Sequence, residues 1–139
     1  MNFEFLDHTS DVQIHSWGDS LSEALEQQIL GMYSYMSDGL KNVEDVYTMD
    51  FEAEGSDRAA TLYQILSECL YYFTSEPFFV AQSVEVVDIS DKKVHVRAKG
   101  ESFTTEKHEP GTEIKAITYS NLQIIENGSR VDIYVVVDI

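Results

Sequence analysis

Val12-Gln13-Ile14-His15-Ser16-Trp17-Gly18-Asp19-Ser20-Leu21-Ser22-Glu23-Ala24-Leu25 decides the fold class, because it holds a strand, a turn and a helix start in one run. Val12, Ile14 and Ser16 alternate with Gln13, His15 and Trp17, the period of two expected of a half-buried strand. Gly18-Asp19 ends it. Ser20 reads as an N-cap, and Glu23 three residues on completes the pattern of a capping box. The helix that follows puts Leu21, Ala24, Leu25, Gln28, Ile29, Met32 and Met36 on one face, with Gly39 as its stop.

The same two periods sort the rest of the chain. Residues 46–54 alternate Tyr47, Met49, Phe51 and Ala53 against Thr48, Asp50, Glu52 and Glu54, a strand with one apolar and one acidic face. Gly55-Ser56 leads into a second helix with the stripe Ala59, Leu62, Ile65, Leu66, Cys69, Leu70 and Phe73, closed by Pro77. Phe79–Ile89, Val94–Ala98, Ile114–Tyr119, Leu122–Ile125 and Val131–Val137 read as β structure. Ser90-Asp91-Lys92 and Asn127-Gly128 are turns, and Lys107–Thr112, with Pro110-Gly111, is a loop. The expectation is a single domain over residues 1–139. It is α+β: two helices packed on one face of a mostly antiparallel sheet of about six strands.

Charge narrows the function classes. Nine Lys and Arg stand against twenty-five Asp and Glu, a formal net charge of −16. A free-standing nucleic-acid binder needs a basic footprint, and an anionic membrane surface would repel this chain. The first 76 residues carry fifteen acids and two bases, a net of −13; residues 77–139 carry ten acids and seven bases, a net of −3. A relatively basic stretch runs through Lys92, Lys93, Arg97, Lys99 and Lys107. An acidic face of this kind either keeps the chain in solution or steers it to a cation or a basic partner.

The N-terminus lacks the basic and long apolar regions of a signal peptide, and no run of about 18 apolar residues is present. Cys69 is the only cysteine, so an internal disulfide and a two-cysteine zinc site are excluded; its place on the second helix's apolar stripe marks it as core. A cytoplasmic location, with the nucleus also open, is expected.

Candidate chemistry sits at two places. Leu6-Asp7-His8-Thr9-Ser10-Asp11 is dense in polar groups before a strand. His8 between Asp7 and Asp11 suits a general base, an oxygen-rich cation site, or a turn whose side chains bond to backbone. The second place is Val137-Asp138-Ile139, where a strand running to the last residue brings the Asp138 carboxylate and the Ile139 oxygens together. Oxygen-only ligands suit calcium or magnesium. GxGxxG, Walker A, GxSxG and His-x-x-x-His patterns are absent. From the residues alone, a small hydrolase using His8 and Asp11 and a binding module both remain open.

Three separated motifs resemble the archease family. Phe5-Leu6-Asp7-His8-Thr9-Ser10-Asp11-Val12 is similar to that family's opening, where the Ser10 position is usually Ala, and Trp17–Ala24 continues it. Lys107-His108-Glu109-Pro110-Gly111-Thr112-Glu113-Ile114-Lys115-Ala116-Ile117-Thr118-Tyr119 resembles the second hallmark, and Val136-Val137-Asp138-Ile139 the family's ending. Ser120 stands where many archaeal members have His, as in eukaryotic-type members. The resemblance implies an accessory protein without catalytic residues of its own. It would assist an RtcB-type tRNA-splicing RNA ligase or its complex, promoting the ligase's guanylylation and multiple turnover on ends bearing 3′-phosphate or 2′,3′-cyclic phosphate. It implies a divalent metal, calcium first with magnesium or manganese as alternatives, at Asp11, Asp138 and Ile139, with Asp7, His8 and Lys115 in support. Direct nucleic-acid or membrane binding is not expected. A general chaperone or adaptor for RNA-modifying enzymes is the other reading.

Overall fold

The computed structural model describes residues 1–7 and 10–139, with Asp7 described in its backbone only. Ten elements follow in chain order: β1 (Phe3–Asp7), β2 (Asp11–Gly18), α1 (Leu21–Met36), β3 (Tyr47–Glu54), α2 (Arg58–Thr74), β4 (Phe79–Ile89), β5 (Lys93–Ser102), β6 (Ala116–Ile117), β7 (Gln123–Asn127) and β8 (Arg130–Asp138). Local chemistry explains most of their bounds. Ser20 Oγ accepts from Glu23 N–H at 3.1 Å and caps α1, and Asp57 Oδ1 accepts from Ala60 N–H at 2.8 Å and caps α2. The β7–β8 hairpin turns on Gly128 and Ser129, one residue later than Asn127-Gly128 suggests. Of these two only Gly128 has positive φ (66°), as a type II′ turn requires.

The α+β expectation holds: two helices pack on antiparallel strands. The strands, however, form two sheets rather than one. The larger runs β1-β2-β8-β6, with β7 also pairing β8 beyond β6; the smaller runs β3-β5-β4. Each helix touches both. α1 packs on β1, β2 and β8 of the larger sheet and on β4 of the smaller, while α2 packs on β3, β4 and β5 and on β6. Val12, Ile14, Ile133 and Val135 of the larger sheet and Val96 and Ala98 of the smaller are fully buried in one core with Leu25, Ile29, Leu62 and Ile65. Each such Val, Ile or Leu side chain contributes roughly 1.5–3 kcal/mol by leaving water.

Ser16 and Gln28 are buried polar residues at the contact of α1 with β2. Ser16 Oγ lies 2.8 Å from both Ala24 O and Gln28 Oε1, and Gln28 Nε2 donates to Ile14 O at 3.3 Å, so α1 is fixed on β2 by satisfied groups. Cys69 is buried, and burial pushes its thiol up to about 12, so it is core and not a nucleophile. Among the described residues no helix is long and apolar enough to cross a membrane.

Candidate metal centre

β2 starts at Asp11 and β8 ends at Asp138, and the antiparallel register makes these two residues direct partners. Directly opposed side chains share one face of the sheet with Cβ atoms about 5 Å apart. Residues far apart in sequence therefore present two carboxylates side by side, and like charges in that arrangement repel. Two further segments meet them. Ile139 N–H donates to Ser10 O at 3.4 Å, and Lys115 N–H donates to Asp138 O at 2.7 Å, where Ala116 pairs with Asp138.

The donor set fits a hard cation. Asp11 Oδ1 is buried and receives no hydrogen bond among the described residues. A buried acceptor left unpaired costs free energy, and an oxygen-seeking cation offsets both that cost and the carboxylate repulsion. Among the described residues no three His, Cys, Asp or Glu side chains converge, and the described groups that could add to the two carboxylates are backbone and Ile139 oxygens. Of the supporting residues, Lys115 is exposed and its side chain makes no ion pair among the described residues; only its backbone reaches the pair. His8 and the Asp7 side chain lie outside the described residues.

The face that carries Asp11 continues through Gln13, His15 and Trp17 of β2 and Tyr134 and Asp132 of β8. His15 is 7% exposed and bridges two carboxylates: Nδ1 lies 2.7 Å from Glu4 Oε2 and Nε2 2.7 Å from Asp132 Oδ1. Its ring stacks on Tyr134 at 4.2 Å. Arg130 pairs with Asp132 at 2.9 Å and lies 5.2 Å over the Trp17 ring. Arg130 holds the Asp132 carboxyl below the usual carboxylate range, against burial, with His15 adding to it. Pattern alone places His15 on a strand, and its spacing of two from Trp17 is the signal for a shared face.

The second hallmark is a strap rather than a ligand set. Gly111 N–H donates to Met36 O at 2.9 Å and Thr112 N–H to Tyr35 O at 3.0 Å, which ties the loop to the end of α1. A Cβ at Gly111 would lie 2.1 Å from Tyr35 O, so only glycine fits. Lys107 Nζ donates to Glu101 at 2.8 Å, and buried His108 accepts Thr104 N–H on Nδ1 at 3.0 Å. Burial alone would raise the Glu101 carboxyl. Hydrogen bonds from Lys107 and Glu44 N–H, with His108 Nε2 3.3 Å away, outweigh it and leave it lowered.

Part of the basic stretch is paired inside the smaller sheet. Lys93, His95, Arg97 and Lys99 stand opposite Glu54, Glu52, Asp50 and Thr48. Asp50 lies 2.7 Å from His95 and 3.1 Å from Arg97. Lys93 and Arg97 thus face carboxylates, whereas Lys99 faces Thr48 and makes no ion pair among the described residues.

Residues 3–139 match the model of the Archease protein family (MTH1598/TM1083). An archease-like protein of Caenorhabditis elegans is 46% identical over 99% of this chain and 89% of its own length. The solution structure of protein 1598 of Methanobacterium thermoautotrophicum superposes with a TM-score of 0.82 at 29% identity, covering 99% of both chains. A Thermotoga maritima archease, described as a possible chaperone, shares the fold at a TM-score of 0.64 and 20% identity, over 96% of this chain and 94% of that one.

Proposed function

The chain belongs to the archease family, and from that premise we propose that it is a non-catalytic activator of an RtcB-type RNA ligase. It would promote guanylylation of the ligase and repeated joining of RNA ends bearing 3′-phosphate or 2′,3′-cyclic phosphate in tRNA splicing. The observation that carries the reading is the cross-strand pair Asp11–Asp138, with a buried Asp11 oxygen that has no hydrogen-bond partner among the described residues.

Asp11 and Asp138, with an oxygen of Ile139, would hold a divalent cation; all-oxygen donors suit calcium, magnesium or manganese, and the family resemblance puts calcium first. Bound there, such an ion supplies charge stabilisation to a phosphoryl group. The chain's own residues do the positioning. β2 and β8 fix the two carboxylates, and Lys115 N–H and Ser10 O hold the last residues of the chain beside them. The net charge of −16 favours a basic, RNA-bound enzyme over RNA itself as the contacted partner. The working location is the cytoplasm, or the cytoplasm and nucleus.

Multiple-turnover ligation by purified ligase, with and without this protein, tests the reading. Stimulation by wild type and its loss with Asp138→Ala are expected; identical turnover and guanylylation in both arms would sink it. A second reading, a general chaperone for RNA-modifying enzymes, draws on the description of the Thermotoga maritima relative. It requires that Asp11→Ala and Asp138→Ala still protect a client from aggregation.

A further inference from the structure

An open apolar cleft of about 230 Å³ lies where the ends of α1 and α2 meet the loop between β5 and β6. Met36, Phe73, Phe78, Phe103, Pro110 and Ile114 line it. It is smaller than the roughly 300–1,000 Å³ of sites for drug-sized molecules, and it suits one large side chain. Phe78 is the unusual wall. It sits at φ 59°, a left-handed conformation that strains a bulky residue, and its side of the cleft is open, with 44% of the residue exposed.

The backbone leaves Phe78 no freedom to relax. Its N–H donates to Ser75 O at 2.7 Å and its carbonyl accepts from Phe103 N–H at 2.7 Å. Glycine would meet that conformation without strain, and a ring so exposed adds little to the core. Tyr71, near the same end of α2, is 58% exposed. The aromatic surface here is thus presented outward at a conformational cost.

The charge around it selects a partner. Glu113 lines the cleft, and exposed Glu76, Glu106 and Glu109 sit on the segments that carry Phe78, Phe103 and Pro110. None of the four forms an ion pair among the described residues, and Lys107 in the same loop is held by Glu44 and Glu101. A second copy of a chain of net charge −16 would bring like charge to this rim. We propose that the cleft is a docking site for a partner-protein segment that inserts one large apolar side chain and carries lysine or arginine beside it. The site reaches the candidate metal centre through one residue: Ile114 lines the cleft and Lys115 N–H holds Asp138 O. Its existence does not depend on the partner being a ligase.

A library of phage-displayed random peptides, selected on the full chain and counter-selected on Phe78→Gly, tests this. Phe78→Gly removes the ring and the strain together, so the fold is kept. Selected peptides should share one Leu, Ile, Met, Phe or Trp flanked by Lys or Arg. A synthetic copy of the leading peptide should bind Phe78→Gly and Glu113→Lys each about tenfold more weakly, the effect of losing one anchor contact. No enrichment, a consensus without basic residues, or equal binding to Phe78→Gly would overturn the proposal. So would sedimentation showing a dimer of the chain that Phe78→Gly dissolves, since the occupant would then be a second copy.

Discussion

Asp138→Asn separates the two charge effects at the candidate metal centre. Asp138 is exposed and its backbone pairings do not involve the carboxylate, so the substitution disturbs no packing. Without metal, it removes a like-charge contact with Asp11, a change of about 0.2–1 kcal/mol in favour of the folded state. With metal, wild type gains the binding free energy: about 2.7 kcal/mol at a free concentration a hundredfold above Kd. For a domain of this size each kcal/mol moves the midpoint by roughly 3–4 °C, so calcium should raise wild-type Tm by about 8–11 °C. The order of the two proteins should therefore cross. Asp138→Asn is at least as stable as wild type in chelator and clearly less stable in calcium. Differential scanning fluorimetry at both conditions reads this directly. An equal calcium shift in both proteins, or a variant already weaker in chelator, would refute the paired-carboxylate account.

Three further outcomes follow from named contacts. Gly111→Ala forces a methyl against Tyr35 O and should cost about 1–3 kcal/mol in urea unfolding; unchanged stability would show that the strap is not held to α1. The Asp132 carboxyl is lowered in the fold, so its contribution is present above the unfolded carboxylate range near pH 4 and is lost as pH falls through the folded value. Asp132→Asn should therefore flatten the fall of stability below about pH 4, and an unaltered acid profile would count against the Arg130–Asp132–His15 network. Cys69 should resist thiol reagents at neutral pH until the protein unfolds, because it is buried with its thiol pushed up to about 12; prompt labelling of native protein would contradict its place in the core.

Particular residues show where pattern reading reaches and where it stops. Val12-Gln13-Ile14-His15-Ser16-Trp17 was legible as a strand because one face is buried, and burial imposes a period of two. Ser20 was legible as a cap because its hydroxyl answers an N–H three residues away. β1 gives no such signal: its Phe3 and Phe5 sit in an edge strand of only five residues, too brief for periodicity to register. Ile114–Tyr119 reads as β-like throughout, yet the regular ladder covers only Ala116–Ile117, with single bonds from Lys115 N–H and Thr118 N–H to β8 on either side.

By itself the sequence determined the local structure, the acidic balance and the identity of the candidate ligands. These depend on side-chain chemistry and on neighbours a few residues away. The division of the strands into two sheets, the meeting of Asp11 with Asp138, and the pairing of Lys93 and Arg97 with Glu54 and Asp50 of β3 were decided only by tertiary structure. Each depends on which strands pair across long stretches of chain, and that choice is made by burying both helices between two sheets at once rather than by any local pattern. The cleft beside Phe78 belongs to the same class. Its walls come from segments 36, 73–78 and 103–114, and no window along the chain contains them together.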